Sequence, residues 1–157
     1  MMKKFELMTE SKMNVFGKTL FRIRALVDFS FVKAGDVGGW IEEEGNLSQS
    51  GNAWVYGNAK VYGDARVYGD AEVYGDAWVC GDDDYTTIKG FGTCFRTTTF
   101  FRCKDKTVKV ACGCFLGTIA EFRKQVKRTR SGKIAKEYLM IADLMEMHFK
   151  EGEDEQY

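Results

Sequence analysis

The chain holds one histidine, His148, and five cysteines, Cys80, Cys94, Cys103, Cys112 and Cys114. These residues bound the covalent and metal chemistry open to it. A general base that takes a proton from a hydroxyl or an amine is most often a histidine. His148 lies beside Phe149 and one turn beyond Leu144, at the far end of a helical pattern, so it reads as a helix residue and not as a base. The thiols from Cys94 to Cys114 suffice in number for zinc, but structural zinc sites use cysteine pairs separated by two to four residues. Cys112-Gly-Cys114 instead puts two thiols on one face of a strand beside Val108 and Val110, as packed core groups. No P-loop, dinucleotide fingerprint or nucleophile elbow is present. The expectation is a protein with no catalytic residue, no metal and no cofactor.

Groups suited to holding a ligand are better represented. Arg96, Thr98 and Arg102 share one face of a strand, with Thr97 and Thr99 on the other. Arg123, Lys124, Lys127, Arg128 and Arg130 line the exposed side of a helix. Guanidinium forks and hydroxyls suit phosphate and ribose, and Trp54, Trp78, Tyr85 or Phe91 offers a ring to a base. Gly113 and Gly117 flank Phe115 and leave room for close backbone approach. The expected ligand-binding set is Arg96, Thr98, Thr99, Arg102, Arg123, Lys127, Trp78 and Tyr85. Lys plus Arg equal Asp plus Glu at 23 each, which argues against a duplex nucleic-acid binder, since such proteins need a basic excess to displace counterions. The opening MMKKFELMTESK has lysines without an apolar run after them, so the reading is a cytoplasmic protein with no membrane segment.

The element that must carry these groups is a repeat. GNAWVY, GNAKVY, GDARVY, GDAEVY and GDAWVC follow one another from Gly51 to Cys80, with GNLSQS before them as a degenerate hexad. A six-residue period predicts a short left-handed parallel β-helix. Residues eighteen apart then stack about 4.8 Å apart. Val55, Val61, Val67, Val73 and Val79 point inward with Ala53, Ala59, Ala65, Ala71 and Ala77, and each Gly with its Asn or Asp forms a corner. Tyr56 falls over Tyr74 and Lys60 under Trp78. So short a stack needs caps, and the alternating segment Thr19–Leu26 is the expected N-terminal one. Trp54, Tyr56, Tyr62, Tyr68 and Tyr74 form an outward aromatic band, expected to be the interface of a homotrimer.

Beyond Gly81, Thr93–Cys103 and Thr107–Phe115 read as a β-hairpin. Thr118 and Glu121 make a capping-box pattern that opens a helix to about Arg130, and a second helix runs from about Ile134 to Phe149. The fold class is thus mainly β with a C-terminal α+β part. Its expected organisation is a cap region at 1–38, the β-helix at 39–82, a hairpin plus two-helix domain at 83–150, and an acidic disordered tail at 151–157.

FGKTLFRIRAL and VKAGDVGGWIEEEGNLSQSGNAWVYGNAKVYGDA, with TTTFFRCKDKTVKVACGCFLGTIAEF and AKEYL later, resemble small hexapeptide-repeat proteins encoded by phages and prophages. The resemblance implies a product made in the cytoplasm of an infected bacterium. Acyltransferases and zinc carbonic anhydrases of hexapeptide solenoids rely on histidines, one as base or three as ligands. A single histidine excludes the second chemistry and leaves the first without its base. Joined to basic clefts and an oligomeric frame, this gives the expectation of a non-enzymatic sponge. It would sequester a host nucleotide immune signal of the cyclic dinucleotide or cyclic ADP-ribose type. The alternatives are a structural or adaptor protein that grips a host or phage protein partner, and an acyltransferase-like enzyme lacking the usual histidine.

Overall fold

A computed structural model describes residues 2–150. The chain opens as an antiparallel hairpin of β1 (Phe5–Val15) and β2 (Lys18–Ala25). Its two-residue turn has Phe16 at φ 48 and Gly17 at φ 77, the double positive φ that matches strand twist in a tight hairpin. β3 (Val37–Ile41) adds antiparallel to β2. Within the hexads lie β4 (Trp54–Val55), β5 (Lys60–Val61), β6 (Glu72–Val73) and β7 (Trp78–Val79), each two residues long. β5 runs parallel to β3 and β7 parallel to β5, giving one mixed sheet of order β1-β2-β3-β5-β7, while β4 and β6 form a separate parallel pair.

The left-handed parallel β-helix expected from the hexads is therefore not the architecture. The two larger sheets are mixed and antiparallel, and no closed solenoid forms among the described residues. Parallel pairing at the eighteen-residue offset, Trp54 with Glu72 and Lys60 with Trp78, is confined to two-residue ladders. The physical reason is the brevity of the repeat: two-residue ladders leave its edges open, and flanking segments take them, β3 in parallel on β5 and the end of β9 through the Ala77–Cys103 bridge at β7. The expected cap is likewise not a lone strand, since β2 belongs to the β1–β2 hairpin. All ten inward Val and Ala positions are fully buried. Gly63, at φ +64, holds a corner where a Cβ would lie 2.6 Å from the Cys80 carbonyl oxygen.

The second half is a four-stranded antiparallel sheet of order β11-β10-β9-β8: β8 (Tyr85–Phe91), β9 (Arg96–Arg102), β10 (Val108–Cys112) and β11 (Phe115–Thr118). The expected hairpin is its centre, β9 with β10, to which the structure adds a strand on each side. α1 (Ile119–Thr129) and α2 (Gly132–His148) follow. The Glu121 amide donates to Thr118 Oγ1 at 3.1 Å and the Thr118 amide to Glu121 Oε1 at 2.9 Å, closing the capping box. Strand alternation splits β9 between two cores: Phe100 packs with Phe122, Tyr138 and Met145, while Phe101 packs with the repeat and Tyr85. The segment 151–157, expected to be a disordered acidic tail, lies outside the described residues. No helix among those described is long and apolar enough to cross a membrane.

Candidate functional site

Where β7 meets the end of β9, an antiparallel bridge joins Ala77 to Cys103 and the Lys104 amide donates to the Asp76 carbonyl at 3.0 Å. This seam opens a cleft of about 330 Å³ walled by Phe16, Tyr62, Trp78, Cys80, Asp84, Arg102, Cys103, Lys104 and Lys106. Phe16, 80% exposed at the tip of the β1–β2 hairpin, meets Trp78 edge to face with ring centroids 5.6 Å apart. The ammonium groups of Lys60 and Lys104 each stand 5.7 Å from the Trp78 ring centroid, near the outer limit of a cation–π contact. Burial lowers the Lys60 pKa, helped by the like charges of Lys104 and Arg22 and opposed by Asp76. Lys104 and Lys106 form no ion pair among the described residues.

The acid of the cleft is already engaged. Asp84 accepts from the Cys80 amide at 2.9 Å, the Gly81 amide at 3.1 Å and the Cys80 thiol at 3.2 Å, and it pairs with Arg102 at 3.2 Å. The Arg102 guanidinium also lies 5.2 Å from the Phe149 ring centroid. Neither thiol is activated: burial and then the Asp84 hydrogen bond raise the Cys80 pKa, and burial pushes Cys103 up to about 11. Both are protonated thiols at neutral pH, which are poor nucleophiles.

Of the sequence-predicted ligand residues, the cleft brings together Trp78 and Arg102 and disperses the rest. Arg96 lines a separate cavity of about 290 Å³ with Lys89 and Thr97, where Asp70 and Glu72 offset the positive charge and Lys89 pairs with Asp70 at 2.6 Å. The close approach at Gly113 is made by Arg96 itself: a Cβ there would sit 1.9 Å from a guanidinium nitrogen. Thr98 and Thr99 are buried; Thr98 Oγ1 donates to the Cys112 sulfur at 3.3 Å and Thr99 Oγ1 accepts from the Glu72 amide at 3.2 Å. Arg123 is held by Asp143 and Glu146, and Lys127 is exposed on α1. Tyr85 is buried, its hydroxyl donating to the Arg66 carbonyl, so it is a packing residue.

The aromatic band also turns inward. Trp54 is 2% exposed with the Phe29 ring edge on it, Tyr56 and Tyr74 stack at 4.5 Å and 10°, and Tyr62 is buried in the cleft wall; only Tyr68 of the five is mostly exposed. The covering rings come from outside the repeat: Phe29 on Trp54, Phe31 on Tyr56 and Phe101 beside Tyr74. Cys112 and Cys114 do not share a strand face, because β10 ends at Cys112 and Gly113 turns at φ 60, leaving Cys114 exposed. No group of three or more His, Cys, Asp or Glu able to hold a metal ion occurs among the described residues. His148 is exposed, its ring 4.9 Å from that of Phe149.

Sequence reasoning missed Phe16, Lys104 and Lys106 as site residues. Phe16 sits in a turn that reads as a connector, and the lysines lie in what reads from sequence as the turn of a hairpin. Only the pairing of Lys60 with Trp78 carried a signal, through the eighteen-residue offset. No protein-family model matches the chain, and no curated protein matches it in sequence.

Proposed function

We propose that the protein binds an anionic, base-bearing small molecule at this seam and holds it without transforming it. In this reading it is a phage counter-defence sponge for a host nucleotide immune signal, of the cyclic dinucleotide or cyclic ADP-ribose type. The observation that carries it is Trp78 with the ammonium groups of Lys60 and Lys104 each 5.7 Å from its ring centroid, on a cleft that Lys106 and Arg102 also line. A base that stacks on the indole displaces a lysine held at 5.7 Å, and the released ammonium pairs with the phosphate of the same ligand. The weak cation–π contact, about 0.5–1 kcal/mol, is exchanged for stacking of about 1–3 kcal/mol plus a charge-assisted contact. The raised thiol pKa values and the exposed position of His148, outside the cleft lining, support binding without turnover. A trimer with such clefts between or beside its subunits belongs to the same proposal, and the resemblance to phage proteins gives it a biological direction.

The test is a thermal-shift panel of signalling nucleotides on the purified protein, followed by heat release and chromatography. A true ligand at a hundredfold over its Kd stabilises the fold by about 2.7 kcal/mol, equivalent to a rise in Tm of about 5–10 °C, and is recovered intact. No shift with any nucleotide, or recovery of an altered nucleotide, defeats the proposal. The adaptor reading is favoured by one observation, the outward stripe of Met140, Leu144 and Met147 on α2. It calls for a protein partner retained in a pull-down and lost on Leu144→Glu.

A further inference from the structure

The cavity of about 290 Å³ beside Arg96 lies on a second seam, between the repeat and the four-stranded sheet. Asp70 and Glu72 reach it from the hexads and Lys89 and Arg96 from β8 and β9, so two acids and two bases share its lining. Only one of each is matched. Lys89 pairs with one Asp70 oxygen at 2.6 Å and Asn52 donates to the other at 3.4 Å, which engages that carboxylate on both sides. Glu72 and Arg96 form no ion pair among the described residues, either with each other or with another group. Both are nevertheless fixed in place. The Glu72 amide donates to Thr99 Oγ1 at 3.2 Å, tying β6 to β9, and the Tyr56 hydroxyl donates to Glu72 Oε1 at 3.2 Å. Burial raises the pKa of this half-buried carboxyl and the Tyr56 hydrogen bond lowers it, with no cation to offset the burial. Arg96 is set by the backbone beside it: a Cβ at Gly113 would lie 1.9 Å from Arg96 Nη1, so a glycine is what lets the guanidinium rest there. A hydrogen bond with the Cys94 thiol raises the Arg96 pKa, and no carboxylate contributes.

A simple anion in this cavity gains at Arg96 but meets Glu72 and Asp70, and a simple cation gains at Glu72 but meets Arg96 and Lys89. A molecule of both signs gains at both ends. We infer that the cavity is a site for a small zwitterion, a free amino acid whose carboxylate takes the Arg96 guanidinium and whose ammonium takes Glu72. The planar guanidinium fork matches a carboxylate with two parallel hydrogen bonds. Glu72 keeps its second oxygen for the ammonium, since only Oε1 accepts from Tyr56. A phosphate is disfavoured, because its extra negative charge faces the two acids of the same lining. This site is separate from the Trp78 cleft, shares no lining residue with it, and stands or falls without the nucleotide reading.

The test is an amide chemical-shift titration of the full chain with glycine, β-alanine and γ-aminobutyrate, which move the two charges apart one carbon at a time. At least one of the three is expected to bind, with the Glu72 and Gly113 amides among those that shift. The N-acetyl derivative and the carboxamide of the tightest binder each lack one charge and should bind at least about tenfold more weakly. Glu72→Gln should erase the preference over the N-acetyl derivative, and Arg96→Gln the preference over the carboxamide, each leaving the other preference in place. Both substitutions keep nearly the same side-chain size, and Glu72→Gln retains an oxygen for the Tyr56 hydroxyl. The inference is wrong if none of the three binds, if the shifts fall away from Glu72 and Gly113, or if a singly charged analogue binds as tightly. It is equally wrong if both preferences survive in both variants.

Discussion

Phe16 occupies a backbone conformation that suits glycine or asparagine, at φ 48, with most of its ring in solvent. A non-glycine residue in this region costs about 1–2 kcal/mol, and an exposed edge contact with Trp78 returns about 0.5 kcal/mol. The ring therefore costs more stability than it provides, a pattern found where side chains serve binding. Phe16→Asn is expected to raise Tm by a few degrees and to weaken nucleotide binding severalfold. Thermal melts and a titration check both; a lower Tm with unchanged affinity would assign Phe16 to packing alone. Lys4 is the opposite case, a buried amine with no carboxylate partner among the described residues. It donates to the Ala53 carbonyl at 2.8 Å and the Gly51 carbonyl at 3.4 Å, with the Phe29 ring centroid 4.9 Å away. Burial lowers its pKa from 10.5 to about 8. Between those values the unfolded chain keeps a proton that the folded chain has released, so the Lys4 contribution to stability rises with pH, by about 3 kcal/mol across the window. Cys103, raised to about 11, works against it from about pH 9 upward. The difference between the parent chain and Lys4→Met isolates the lysine. In urea melts from pH 7.5 to 10.5 the parent should gain on the variant, and a constant difference refutes the assignment.

Among the elements, β9 is the one on which both halves depend. Phe100 and Phe101 are fully buried on its opposite faces, one against the helices and one against the repeat. Phe101→Ala is expected to cost about 3–5 kcal/mol. Helix-side and repeat-side probes should lose stability together; loss confined to the repeat side shows that β9 does not couple the two. The elements also show what could be read in advance. The alternation of Thr93–Cys103, the Thr118–Glu121 capping box and the apolar period of α2 are local signals, and each led to the observed element. β1 was hidden because Thr9, Glu10 and Ser11 form a bulge between Met8 and Lys12 that breaks the two-residue period. β8 and β11 are interrupted by Gly90, at φ 99, and by Gly117, and neither presents a clean alternating run.

At the scale of the molecule, the hexads correctly indicate which side chains face inward and which lie eighteen residues apart in register. They do not give the fold class. A repeat pattern describes how each unit meets its neighbours, whereas the sheet order depends on which longer strands compete for its edges. The contacts at those edges come from β3 (Val37–Ile41) and from Cys103 at the end of β9, outside the five hexads. The same limit applies to the cleft, because Phe16, Trp78 and Lys104 are distant in sequence and meet only once the hairpin tip and the second sheet are both in place. The shared strand β9 has a further consequence during synthesis. When the last hexad leaves the ribosome at Cys80, Phe101 is still twenty-one residues behind, a delay of about one to four seconds at normal elongation rates. For that interval Tyr74 and Val79 lack the wall that later covers them, which makes the emerging repeat a natural client for nascent-chain chaperones.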